Sequence, residues 1–303
     1  MTISSAPATS LSGYIPDLPT PFAADGAIDL CAFQRLCERQ IEAGVGAIVV
    51  CETAGEASTL SSAEQGRLIR AAVEAAHGRA RIIAGAGSNS TQQAVELTRC
   101  ADAAGADAVL SVVPYYNRPM RAGIEAHFLA IADATELPII LHDVPGRTNR
   151  ELADATLARL TQSGQFIGLK DGTGDVTRVA RLRRLLPGGF HLLSGDDASA
   201  FAFIANGGDG CISMISNVAP GLCRTIFSCC RQENWQAARA LHNRLAALEA
   251  VISREGPPAL KAALSGLGLM RPGLRLPLVE LDASTAREIA HAATALTERD
   301  LAA

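Results

Sequence analysis

An apolar run, Phe166-Ile167-Gly168-Leu169, ends in Lys170, and a glycine-rich polar loop, Asp171-Gly172-Thr173-Gly174-Asp175, follows at once. That pattern describes a buried strand delivering one amine to the mouth of a site. Of the 27 basic residues only two are lysines, Lys170 and Lys261. Arginine stays protonated and cannot do amine chemistry, whereas a desolvated lysine can lose its proton and attack a carbonyl carbon to form an imine. Lys170 is therefore a candidate nucleophile. The plainer alternative is a strand-end lysine whose stem lies on apolar surface while its head reaches water.

Other apolar runs also end in groups able to move protons or grip anions: Thr53, Tyr115 and Tyr116, His142 and Arg147, and Asp196 with Asp197. Asp196 and Asp197 are adjacent, so their side chains diverge, and the pair reads as a cap on the following helix. A phosphate site is disfavoured because Asp196, Asp197 and Asp209 occupy the loops that would form it. No histidine or acidic cluster has metal-ligand spacing, and there is no Gly-x-Ser-x-Gly elbow. The residues taken alone describe a carbonyl-processing enzyme with a lysine imine and with hydroxyl and imidazole groups to move protons.

The elements that must position these groups alternate along the chain. Strands are expected at Tyr14 to Leu18, Val45 to Cys51, Arg81 to Gly85, Asp107 to Val113, Pro138 to Leu141, the Lys170 run, Phe190 to Leu193 and Gly208 to Ser213. Continuous apolar runs such as Val45 to Cys51 mark strands buried on both faces. Helices lie between them. Asp29 is a plausible N-cap, and Ser61-x-x-Glu64 and Ser90-x-x-Gln93 read as capping boxes. Eight strand–helix repeats predict an α/β fold, a (β/α)8 TIM barrel over 1–218 with its site at the C-terminal strand ends, and a C-terminal helical extension over 219–303. A doubly wound sheet competes, but no GxGxxG follows the first strand.

Length and composition bound the rest. A 303-residue chain with 48% apolar but only 4% aromatic residues suits aliphatic strands and Ala-rich helices. A net charge of −4 without basic runs argues against nucleic acid. The Ser/Ala-rich start shows no secretory signal, and no apolar stretch nears the ~20 residues of a membrane span. The eight cysteines form no CxxC pair, so free thiols in a reducing cytoplasm are expected.

The motifs Thr53-Ala54-Gly55-Glu56, Pro114-Tyr115-Tyr116-Asn117-Arg118-Pro119, Val144-Pro145-Gly146-Arg147-Thr148, Ile167-Gly168-Leu169-Lys170-Asp171 and Leu193-Ser194-Gly195-Asp196-Asp197 resemble, in order and at barrel spacing, those of the dihydrodipicolinate synthase and N-acetylneuraminate lyase family. The resemblance implies a cofactor-free class I mechanism in which Lys170 condenses with pyruvate and the resulting enamine attacks a small carboxylate-bearing aldehyde, aspartate semialdehyde in the synthases. It implies that Thr53 passes protons and helps hold the pyruvate carboxylate, with the Ala54 N–H beside it. Tyr116 would reach a neighbouring subunit's site in a homotetramer, a dimer of dimers. Arg147 would receive the aldehyde's carboxylate, and Gly195 and Ile212 would be wall positions, equally well explained by barrel packing.

The departures from that family pattern bear on mechanism. His142 stands where the synthases carry a proton-handling tyrosine, and imidazole titrates near ~6.5 against ~10 for phenol. Asp143 replaces the usual asparagine, and Ala54 replaces a second threonine. Lys261 reads as structural. At the positions of the family's lysine feedback site stand Ser62, Gln65 and Gln93, with Asn89 and Tyr115 retained, so weak or absent lysine inhibition is expected. Loss of the tyrosine keeps other chemistries open: a 4-hydroxy-2-oxoglutarate aldolase, a deoxy sugar acid dehydratase, or a non-catalytic oxo-acid binder.

Overall fold

The structure is a computed structural model that describes residues 11–301. Residues 1–10 of the start read as loose lie outside the described residues. The chain runs β1 (Gly13–Pro16), α1 (Leu30–Glu42), β2 (Ala47–Val50), α2 (Ser62–Ala76), β3 (Arg81–Gly85), α3 (Thr91–Ala103), β4 (Ala108–Val112), α4 (Arg121–Ala132) and β5 (Ile139–Asp143). A single turn, α5 (Pro145–Thr148), then precedes α6 (Asp154–Leu160), β6 (Phe166–Asp171), α7 (Arg178–Leu185), β7 (His191–Ser194), α8 (Asp197–Ala205) and β8 (Gly210–Ser213). Four helices complete it: α9 (Pro220–Arg231), α10 (Trp235–Glu255), α11 (Pro257–Gly266) and α12 (Ala283–Leu301).

The eight strands are parallel and hydrogen-bonded in the order β1-β8-β7-β6-β5-β4-β3-β2. A parallel bridge between Asp17 and Val49 joins the two ends, with the Leu18 N–H donating to the Val49 carbonyl at 2.8 Å. The ring is thus a (β/α)8 barrel. Strand alternation sorts the apolar side chains into two layers. Ile15, Val49, Ile83, Leu110, Ile140, Leu193 and Ile212 fill the barrel interior. A larger cluster, including Ile48, Val50, Ile82, Val109, Leu141 and Leu169, packs against the surrounding helices.

The expected division at residue 218 falls between β8 and α9, and Phe227 of α9 lies over Gly13 of β1. Helices α10 and α11 follow directly, broken at Gly256 as anticipated.

Local chemistry accounts for the helix starts. The Asp29 carboxylate accepts from the Ala32 N–H at 2.9 Å. Ser61 and Glu64 form the full reciprocal box, Ser61 Oγ accepting from the Glu64 N–H and Glu64 Oε2 from the Ser61 N–H. The second box is only half built, because Gln93 Oε1 accepts from Ser88 Oγ at 2.8 Å and leaves Ser90 to cap alone. Several strand boundaries also shift by a residue or two, and two of these shifts bear on the site. Cys51 takes φ 56° and ends β2 early, whereas β5 runs on to Asp143, so His142 belongs to the strand and not to its loop.

That extension sets the site. In the β5–β6 ladder His142 pairs with Lys170 and Asp143 with Asp171. Lys170 and His142 face inward, while Asp143 and Asp171 face outward and meet the buried Arg178 of α7, whose Nη1 lies 2.7 Å from Asp143 and 3.3 Å from Asp171. Arg178 also holds Asp154 and the Leu152 carbonyl. Asp143 therefore serves the barrel-to-helix layer and stays out of the cavity.

Candidate active site

Lys170 stands at the C-terminal end of β6 and is 3% exposed. Its side chain passes Gly195, where an added Cβ would lie 3.1 Å from Lys170 Cγ and 3.2 Å from the Gly172 nitrogen. A side chain at 195 would have to push the lysine stem or the Gly172 backbone aside by a few tenths of an ångström. The amine meets two carboxylates: Nζ is 3.1 Å from Glu52 Oε2 and 3.4 Å from Asp17 Oδ2. Glu52 opens the loop after β2, and Asp17 follows the last residue of β1. The other Glu52 oxygen, Oε1, lies 2.8 Å from His142 Nδ1. Glu52 Oε2 also accepts from the Thr53 N–H, and Asp17 Oδ2 accepts from the Ala54 N–H at 3.4 Å.

The charges follow from burial and pairing. Burial alone would pull the Lys170 amine down, but Glu52 and then Asp17 hold it above its ordinary value, so the resting group is an ammonium. Burial pushes Glu52 up, yet Lys170 first and His142 next hold it well below the usual carboxylate range. Asp17 is raised to about 7, burial outweighing the pull of Lys170. Burial and the Lys170 charge lower His142, which is therefore neutral at pH 7. An ionised Glu52 can only accept, so the His142 proton sits on Nδ1 and Nε2 keeps its lone pair.

Two adjoining cavities open at this end of the barrel. The inner one, about 120 Å³, is lined by Asp17, Thr53, His142, Arg147, Lys170, Gly195 and Ile212, among others. The outer one, about 820 Å³, shares Thr53, His142 and Arg147 and adds Tyr115, Gln65 and Gln93. The guanidinium of Arg147, in the last turn of α5, makes no ion pair or hydrogen bond among the described residues and so is free to face both cavities.

The structure thus brings together Lys170, Thr53, His142, Arg147, Gly195 and Ile212 of the expected set. Ala54 is fully buried, its N–H turned to Asp17. Tyr116 is 90% exposed, takes φ 70°, and lines neither cavity of this single chain. Asp196 caps α8 as expected, accepting from the Ser199 N–H at 3.0 Å, but Asp197 accepts from the N–H groups of Met214 and Ile215. Lys261 is structural: fully buried, it pairs with Glu56 and donates to the Gly273 carbonyl at 2.9 Å.

Asp17 and Glu52 were not anticipated. The signal for both was available, since each is an acidic residue at a strand's C-terminal end, the position that singled out Lys170. Among the described residues no histidine, cysteine or acidic group of three or more is arranged to hold a metal ion.

With this geometry in view, comparisons with known proteins are specific. Residues 10–296 match the dihydrodipicolinate synthetase family. The 4-hydroxy-tetrahydrodipicolinate synthase of Hyphomonas neptunium is 48% identical over 275 residues, 90% of this chain and 94% of the relative. That of Gluconobacter oxydans is 45% identical over 278 residues, 91% and 94% of the two chains. Among solved structures, the 4-hydroxy-tetrahydrodipicolinate synthase of Methylacidiphilum fumariolicum SolV superposes with a TM-score of 0.92 at 38% identity, covering 97% of this chain and 98% of that one. The chloride-inhibited dihydrodipicolinate synthase of Acinetobacter baumannii, solved with pyruvate, gives 0.91 at 39% identity over 95% and 99%.

Proposed function

The chain belongs to the dihydrodipicolinate synthetase family, and on that footing we propose that it is a 4-hydroxy-tetrahydrodipicolinate synthase, a class I lyase that joins pyruvate to aspartate semialdehyde in lysine biosynthesis. The observation that carries this reading is the buried Lys170 at the end of β6, lining one cavity with Thr53 and with an Arg147 guanidinium that has no partner among the described residues.

In this reading the Lys170 amine attacks the ketone of pyruvate and the imine draws electrons from the adjacent methyl group. His142 Nε2, kept basic by the proton on Nδ1, removes a methyl proton and later returns one, with the Thr53 hydroxyl beside it. The enamine carbon then adds to the aldehyde. Arg147 grips a substrate carboxylate with its planar fork. The Ala54 N–H becomes available to a second carboxylate when Asp17, bonded to it at a long 3.4 Å, gives way. Gly195 and Ile212 shape the wall. Tyr116 completes the site of a neighbouring subunit in a homotetramer, a reading that its exposure supports. Among the described residues no helix is long and apolar enough to cross a membrane, and we place the enzyme in the cytoplasm.

A second reading, a Schiff-base aldolase or dehydratase of another 2-oxo acid, draws on the histidine and two carboxylates around Lys170. A coupled assay separates the two. Turnover of pyruvate only with aspartate semialdehyde supports the synthase, whereas turnover of 4-hydroxy-2-oxoglutarate or a 2-keto-3-deoxy sugar acid in its place overturns it.

A further inference from the structure

An ammonium has no lone pair, so Lys170 cannot attack a carbonyl until a base takes its proton. The oxygens within hydrogen-bond reach of Nζ belong to Glu52 and Asp17, both buried. These two carboxylates are not equivalent. Asp17 is the more distant, at 3.4 Å from Nζ, with Oδ2 shared between Lys170 and the Ala54 N–H and Oδ1 without a hydrogen-bond partner among the described residues. Glu52 is a bridge: Oε2 faces the amine at 3.1 Å and Oε1 faces His142 Nδ1 at 2.8 Å.

We propose that Glu52 is a further catalytic residue, the base that takes the ammonium proton from Lys170 and the acid that returns it to the departing hydroxyl. This rests on the lysine-imine reading above. The freed amine forms the C–N bond as the carbonyl π pair moves to oxygen, and a proton passes from nitrogen to that oxygen to give the carbinolamine. Glu52 then protonates the hydroxyl, the C–O bond breaks, water leaves, and the nitrogen lone pair closes the iminium. An ammonium and a ketone thus become an iminium and one water, and Glu52 ends as the carboxylate it began as. Throughout, its second oxygen fixes the His142 tautomer.

The groups facing Glu52 are Lys170 from β6, His142 from β5, Asp17 beyond β1 and its own neighbour's Thr53 N–H, with the Arg147 charge acting on His142. A purely electrostatic role for Glu52 makes the opposite forecast. Removing a negative neighbour lowers the lysine's pKa, frees more amine and speeds attack.

The test is rapid-quench borohydride trapping with pyruvate, read by intact mass, for the wild type, Glu52→Gln and Glu52→Asp between pH 6 and 9. We expect Glu52→Gln to trap pyruvate about 100-fold more slowly, within the usual range for loss of one acid–base group. Its rate should climb with pH as solvent takes over deprotonation, while the wild-type rate stays flat. Glu52→Asp, which keeps a carboxylate, should recover most of the rate and the flat profile, and it carries the test if Glu52→Gln fails to fold. Trapping by Glu52→Gln as fast as the wild type, or a Glu52→Asp profile that climbs with pH, overturns the proposal. A wild type that traps nothing overturns the imine reading itself, a distinguishable failure.

Discussion

Lys170 and Lys261, the two lysines of the chain, both reach the loop after β2, and each meets a glutamate there, Lys170 at Glu52 and Lys261 at Glu56. Their surroundings part from that point. Lys261 Nζ lies 4.2 Å from the Phe22 ring centroid and donates to Gly273, so its neighbours are structural. Lys170 lines a cavity with an imidazole beside it and a free guanidinium across from it. The same side chain and the same kind of partner give a strut in one case and the proposed nucleophile in the other.

His142 should shape the pH profile. Burial and the Lys170 charge lower its pKa from the ordinary 6.5, so the neutral base persists to lower pH than in a free imidazole. The acid limb of kcat/KM should therefore lie below pH 6.5. His142→Asn should cost about 10²-fold or more in kcat. A pH–rate profile on both proteins checks this, and a wild-type acid limb above pH 7 would speak against His142 as the base.

Glu249 should make stability depend on pH. It is buried, with Oε1 unpartnered among the described residues, and burial, then Asp197 and Asp196, raise it from 4.5 to about 7. Between those values the folded protein keeps a proton that the unfolded chain has lost. The native state binds more protons, so stability falls as pH rises through that window. Glu249→Gln should leave Tm unchanged near pH 4 and raise it at pH 8. The gain is at most about 3 kcal/mol, and about half that once solvent screening is counted. Thermal melts at the two pH values decide it.

Tyr116 should matter only in the assembled enzyme. Its side chain is 90% exposed and its φ of 70° holds a non-glycine residue in the left-handed region. Tyr116→Phe should lower kcat while leaving the single-chain fold intact, and dilution below the assembly threshold should lower wild-type activity in parallel. Sedimentation velocity paired with activity across a dilution series reads both.

Lysine should inhibit weakly or not at all. Gln65 and Gln93 line the outer cavity, but their amides are engaged, Gln65 Nε2 with the Ala57 carbonyl and Gln93 with Ser88. At these positions and at Ser62 there is no carboxylate to pair with an effector's ammonium. A lysine titration in the coupled assay should stay flat through the micromolar range.

Much of this architecture was legible in the sequence because parallel barrel strands are buried on both faces. Runs such as Val45 to Cys51 stand out against the polar turns that follow, and the strand-end rule then places Lys170 and Thr53 at one mouth. What escaped was settled by tertiary packing. Asp17 falls inside the expected first strand and Glu52 at the opening of the loop after the second, and it is barrel closure at Val49 that buries both against one amine. His142 was expected in a loop because its imidazole interrupts the apolar run, yet the ladder to β6 continues through it. Gln93 has the spacing of a capping box but a nearer hydroxyl at Ser88.

The central claim is that Lys170 forms an imine with pyruvate. The most direct measurement is peptide-level mass spectrometry after borohydride reduction with pyruvate, run beside Lys170→Arg. The account predicts a pyruvate-sized adduct on the peptide carrying Lys170 and none in the variant. A folded wild type without that adduct, or an adduct placed on Lys261, would contradict it.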